Sequence, residues 1–142
     1  MKRSSLVAAA ALLAVSSSVA FAALRTMDYT VVIAGKDGAA VHGTGTAKST
    51  EKTTEVEINL MGDAAGSVRP WHIHTGTCAA GGGIFGGARS YMPITIDAKG
   101  DGMSKVSVPV SLPDTGHFYV NIHESSANMG KIVACGDLKH KM

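Results

Sequence analysis

The residues best suited to chemistry fall in two runs. One is Trp71-His72-Ile73-His74-Thr75-Gly76-Thr77-Cys78, the other Phe118-Tyr119-Val120-Asn121-Ile122-His123-Glu124. Both alternate as strands do, with histidine on the face opposite isoleucine or valine. Residues i and i+2 of a strand point the same way, roughly 6.6 Å apart along it. His72 and His74 can therefore converge on one ion while Ile73 packs inward between them. His123, from a neighbouring strand, would complete a three-nitrogen site, and imidazole suits copper, zinc, iron or nickel. A lone strand histidine is usually an ordinary hydrogen-bonded residue, so only the set of three argues for a metal. His42, His117 and His140 are isolated and are not expected to be ligands.

Six methionines follow the initiator. Thioethers suit Cu(I), and Met92 and Met129, bordering the loops near the histidines, are possible secondary ligands. Packing is the expected role of the methionines as a group, and packing or gating that of Trp71. Catalysis by other residues finds no support. Ser125-Ser126 lacks the context of a nucleophile, and Glu55 and Glu57 stand on the polar face of a strand.

The elements that must position these groups are strands. The segments 29–33, 40–46, 53–60, 93–97, 103–110 and 131–138, with the two histidine strands, make about eight. Val56, Ile58 and Leu60 alternate with Glu55, Glu57 and Asn59, as in a half-buried strand. Glycine-rich turns separate the strands and no amphipathic helix stands out, which predicts an antiparallel sandwich or barrel. Two stretches break the pattern. Ala79 to Ala88 carries five glycines around Ile84-Phe85, and because a strand rather than a helix follows, a loop folded past the His72/His74 strand is expected instead of a phosphate cradle. Glu124 to Gly130 reads as a short polar connection.

Met1-Lys2-Arg3, the apolar run 6–15 and Ala20-Phe21-Ala22 have the charged, apolar and A-x-A regions of a secretory signal. The apolar run is too short for a spanning helix of about 20 residues. Cleavage after Ala22 would leave residues 23–142 as one domain, periplasmic or secreted and without a membrane anchor. The whole chain has 13 basic and 11 acidic residues. Removing Lys2 and Arg3 leaves 11 of each, so the mature chain is formally neutral, with no charge block for nucleic acid or an anionic membrane. In an exported chain, Cys78 and Cys135 read as one disulfide, with thiolate metal ligation as the competing reading. Such a bridge would close a loop of about 58 residues, worth roughly 4 kcal/mol in the chain-entropy model.

Taken in order, His72-Ile-His74-Thr-Gly-Thr-Cys78, the strand ending in His123, and Ala134-Cys135-Gly136 resemble the bacterial copper/zinc superoxide dismutases over roughly residues 28–138. The resemblance implies an eight-stranded Greek-key β-barrel, copper on its outside held by His72, His74 and His123, and the Cys78–Cys135 bridge. Gly116-His-Phe-Tyr-Val-Asn-Ile-His123 with Gly130-Lys-Ile also resembles the CHRD domain, an extracellular β-sandwich module.

The departures bear on activity. In the enzymes the loop after the cysteine supplies a bridging histidine and the zinc ligands, but residues 79–92 contain no histidine, aspartate or glutamate. No zinc site is expected. The charged guiding loop is reduced to Glu124–Gly130, and Ile132 stands where the family has an arginine. Lys131 is adjacent and would face the other way in a regular strand. Three imidazoles suit Cu(I), whereas Cu(II) prefers four or more ligands. The reading that follows is an exported copper-binding protein acting in copper storage, delivery or tolerance, with a copper donor or acceptor protein as partner. A copper-only superoxide dismutase and a CHRD-like interaction module are the alternatives.

Overall fold

A computed structural model describes residues 25–142; the signal segment expected at 1–22 lies outside the described residues. Nine strands follow in chain order: β1 (Met27–Gly35), β2 (His42–Ser49), β3 (Thr54–Met61), β4 (Val68–Arg69), β5 (Trp71–Thr75), β6 (Ile94–Thr95), β7 (Gly102–Val108), β8 (Phe118–Ser125) and β9 (Asn128–His140). The only helical element among the described residues is a single 3-10 turn at Ala88–Ser90.

Seven strands form one antiparallel sheet in the order β5-β8-β9-β1-β2-β3-β7. The β1–β2–β3 meander is flanked by β9, which returns to lie beside β1, the Greek-key arrangement. The sheet curls, so that Ile73, Val120 and Ile122 from one end share a core with Val56, Ile58 and Val108 from the other. The two-stranded β4–β6 ladder bridges the ends, with β4 against β8 and β6 against β7. The all-β antiparallel sandwich or barrel expected from the strand pattern is borne out, as a seven-stranded sheet curled into a half-barrel. Pro70 separates β4 from β5; it lacks an N–H, but its carbonyl accepts the His123 N–H at 2.8 Å.

Alternation sets what faces inward. On β3, Thr54, Val56, Ile58 and Leu60 are buried while Glu55 and Met61 are exposed. The neighbouring β2 turns only Gly43, Gly45, Ala47 and Ser49 inward. A Cβ on Gly45 would sit 2.5 Å from Ile58 Cδ1 and 2.9 Å from Val31 Cγ1, so the small residues make room for their large partners on the flanking strands β3 and β1. Strand boundaries move by a few residues, and the strand expected at 93–97 shortens to Ile94–Thr95. The connection expected at Glu124–Gly130 is a tight hairpin, because β8 runs to Ser125 and β9 starts at Asn128, with Ser125 paired to Asn128. The glycine loop is tightly folded, for reasons that belong to the site.

Candidate metal centre

β5 is the edge strand of the sheet, and an exposed edge must be covered or paired. The glycine-rich segment does this. Phe85 N–H donates to the Ile73 carbonyl at 2.8 Å and Thr75 N–H to the Gly83 carbonyl at 2.9 Å, with His74 bridged to Ile84. The glycines permit so close an approach. A Cβ on Gly82 would lie 1.6 Å from the Thr75 carbonyl oxygen. Phe85 is buried edge-on against Phe118 at 5.6 Å, and the Cys78–Cys135 disulfide fastens the start of the loop to β9. Cys78 N–H also donates to Asp137 Oδ1 at 2.8 Å. Both sulfurs are thus committed to the bridge, and thiolate ligation is excluded.

His72 and His74 point away from Ile73, on the outer face of the barrel, yet are only 5% and 8% exposed. Loop and aromatic rings cover them. Tyr119, directly across from His74, stacks on its ring at 5.1 Å, and Tyr91 meets His72 edge-on at 5.4 Å. His123 arrives from β8 at a register shift between Ile122 and His123, an irregularity of the kind that re-aims a side chain. His72, His74 and His123 each offer one nitrogen, all within 4.8 Å of one another. They form a buried group that can hold a metal ion.

Hydrogen bonding decides which nitrogens are available. His74 Nδ1–H donates to the Gly82 carbonyl at 3.0 Å, and His123 Nδ1–H to the Met129 carbonyl at 2.6 Å. Each bond leaves Nε2 as the lone-pair atom, the outer-shell arrangement usual for metal-binding histidine. His74 Nε2 is fully buried with no partner, a state that costs about 1–3 kcal/mol unless something binds there. His72 Nδ1 lies 3.1 Å from His123 Nε2. A metal–nitrogen bond of about 2.0 Å needs nitrogens roughly 3.3–3.5 Å apart, so small ring rotations close the set. The donor set fits a metal ion.

Burial, and then the facing rings of His123 and His74, push the pKa of His72 down to about 4. Burial also lowers that of His123; its bond to the Met129 carbonyl opposes the shift and His74 adds to it. These two imidazoles are neutral at ordinary pH and can act as ligands without first losing a proton. Burial raises the pKa of Tyr91, whose hydroxyl donates to the Phe85 carbonyl at 2.7 Å. It therefore stays a phenol.

The other named residues divide between the edge of the centre and the rest of the barrel. Met92 is exposed, and its carbonyl rather than its thioether is engaged, accepting from Trp71 Nε1 and Ser104 Oγ. Met129 likewise meets His123 through its carbonyl. Trp71 is a core residue. His42, His117 and His140 are exposed, His140 resting edge-on against Tyr29. Ile132 pairs with His123, and Lys131 is an exposed partner of Glu124. Sequence reasoning missed Tyr91, Tyr119, Gly82 and Arg69. Tyr119 was within reach, since it shares the face of His123 at i+4. Arg69 grips Asp63 through two bonds of 2.7 Å and donates to the Glu124 carbonyl at 2.6 Å, tying β4 to the end of the His123 strand.

No protein-family model matches the chain, and no curated protein is significantly similar to it.

Proposed function

We propose that this is an exported copper-binding protein of superoxide-dismutase-like fold that stores, delivers or buffers copper through His72, His74 and His123. The observation that carries the reading is the buried, unpartnered Nε2 of His74, set beside two neutral imidazoles. Three nitrogens without carboxylate or thiolate suit Cu(I), and bound copper would supply redox capacity. The chain's own part is to hold three lone pairs in place. Backbone carbonyls fix the tautomers of His74 and His123, while Tyr91, Tyr119 and the glycine loop limit the approach of water. The Greek-key order, the bridge from just after the His-x-His strand to Ala134-Cys135-Gly136, and the strand position of His123 support the likeness to that family.

Binding and sequestration are favoured over dismutation by subtraction. The loop 79–92 brings no further histidine or carboxylate, and the hairpin after His123 leaves no room for a guiding loop. The test is competition for Cu(I) against a chromogenic chelator, followed by metal analysis of protein isolated from a periplasm. One equivalent should bind, and His72→Ala, His74→Ala and His123→Ala should each weaken it strongly, with His140→Ala unaffected. Unchanged affinity in the His74→Ala and His123→Ala proteins would end the reading. Copper with fast superoxide turnover would make the protein a copper-only dismutase, and no copper at all would favour the CHRD-like module.

A further inference from the structure

His123 comes from the least regular stretch of the sheet. The β8–β9 ladder slips on both sides of it, between Ile122 and His123 and again between His123 and Ser125. Ile122 pairs with Ala134 and His123 with Ile132, so Val133 drops out of the ladder, and its carbonyl accepts from Lys36 N–H at 2.8 Å instead. Such a bulge re-aims side chains, but it also removes the regular pairing that would hold one in place. The backbone under His123 must therefore be held from its other side.

That side is Arg69 and Pro70. The Pro70 carbonyl accepts the His123 N–H at 2.8 Å, and Arg69 Nη1 donates to the Glu124 carbonyl at 2.6 Å. Arg69 is itself gripped. Its Nε and Nη2 fork onto the two carboxylate oxygens of Asp63, each at 2.7 Å, with the side chains only 12% and 6% exposed. Asp63 accepts in turn from Ala64 N–H at 2.8 Å, and its own N–H donates to the Gly100 carbonyl at 3.1 Å. A bidentate guanidinium–carboxylate pair fixes direction as a point charge does not. A buried pair also adds little net stability over apolar residues of the same shape, so what it supplies here is geometry.

We propose that the Arg69–Asp63 pair is a positioning device for the metal centre, holding the backbone at the β8–β9 slip so that His123 Nε2 faces His72 and His74. This role rests on the three-histidine reading and extends the centre to a pair that meets no ligand ring directly. The tolerance is small. His123 Nε2 lies 3.1 Å from His72 Nδ1 while His123 Nδ1–H is committed to the Met129 carbonyl at 2.6 Å, so a shifted strand misplaces the lone pair or breaks that bond.

The test compares Arg69→Lys and Arg69→Met with the unaltered full chain, each labelled with 15N at histidine. Lysine keeps the charge opposite Asp63 but lacks the fork that reaches Asp63 and Glu124 together. In metal-free protein the Nδ1–H signal of His123 should shift or broaden in both variants, while that of His74, held by the Gly82 carbonyl, stays in place. Cu(I) affinity, from competition with a chromogenic chelator, should fall about 10–100-fold, the usual cost of an outer-shell partner. Ile58→Val, which loosens the core on β3, should leave both signals and the affinity unchanged and so separates positioning from stability. Should Arg69→Met not fold, Arg69→Lys carries the comparison. A His123 signal that stays still, that moves no more than in Ile58→Val, or that moves together with His74 would overturn the role, as would unchanged Cu(I) affinity. If the unaltered protein takes up no Cu(I) yet His123 alone moves in Arg69→Lys, the pair still aims the ring and only the metal reading falls.

Discussion

Acid should unfold the metal-free protein through its buried imidazoles. His72 has an ordinary pKa of 6.5 that falls to about 4 in the fold. The unfolded chain therefore binds a proton between these values that the native state refuses. Stability is fully present above pH 6.5 and is lost as pH falls toward 4, after which the loss levels off. A gap of about 2.5 pH units, at about 1.36 kcal/mol each, sets a ceiling near 3.4 kcal/mol. Local relaxation around a protonated ring reduces this to about 2 kcal/mol. His123 shifts the same way and adds to the loss, though the 3.1 Å contact between the rings prevents simple addition. Asp63 and Glu124 are held below the ordinary carboxylate range. Burial opposes the shift of Asp63 but its bonds to Arg69 outweigh it, and Lys131 lowers Glu124. Their windows open only at lower pH, so the interval from 6.5 to about 4.5 belongs to the histidines. The assay is urea unfolding in chelator, followed by fluorescence of the single, buried Trp71. With m near 2 kcal/mol/M, the midpoint should fall by about 1 M across that interval. His72→Gln should flatten most of the fall. A midpoint independent of pH, or an undiminished fall in His72→Gln, would show that the imidazoles are not held neutral by burial.

Four further outcomes follow from the same geometry. Alkylation and mass spectrometry of exported protein should find no free thiol, and Cys78→Ser/Cys135→Ser should cost about 4 kcal/mol for a bridge spanning 57 residues, read by denaturant unfolding. Gly82→Ala should force the loop off Thr75 and withdraw the carbonyl that holds His74, lowering metal affinity about 10–100-fold while the barrel stays folded by circular dichroism. Arg69→Met should destabilise by about 2 kcal/mol in urea unfolding, between the values for exposed and fully buried pairs, because it strands the Asp63 carboxylate. Copper-loaded protein should dismutate superoxide slowly in pulse radiolysis, with little dependence on salt, since no charged loop steers the anion; a near-diffusion-limited rate that falls steeply with salt would contradict the binding role.

Much of the fold and the centre of the site could be read from residue order, because both depend on a period of two. His72 and His74 alternate with Ile73, which sets both on one face, and His123 follows Ile122 on a second strand, where a register shift aims its ring. Val56, Ile58 and Leu60 declared an inward face in the same way. The Cys78–Cys135 bridge was readable as a pairing, since two cysteines allow only one. What stayed hidden depends on contacts that no local period encodes. The glycine run was legible as a loop folded past the His72/His74 strand, but not that its lack of Cβ atoms lets it pair with the edge of β5 and place the Gly82 carbonyl on His74. The tight hairpin after His123 follows from β9 beginning earlier than its apolar run suggested. The exposure of Met61 and Met103 follows from their outward positions on β3 and β7, which pair although they lie far apart in the chain. Residue order sets which way a side chain points; only the pairing of distant strands settles what it meets there.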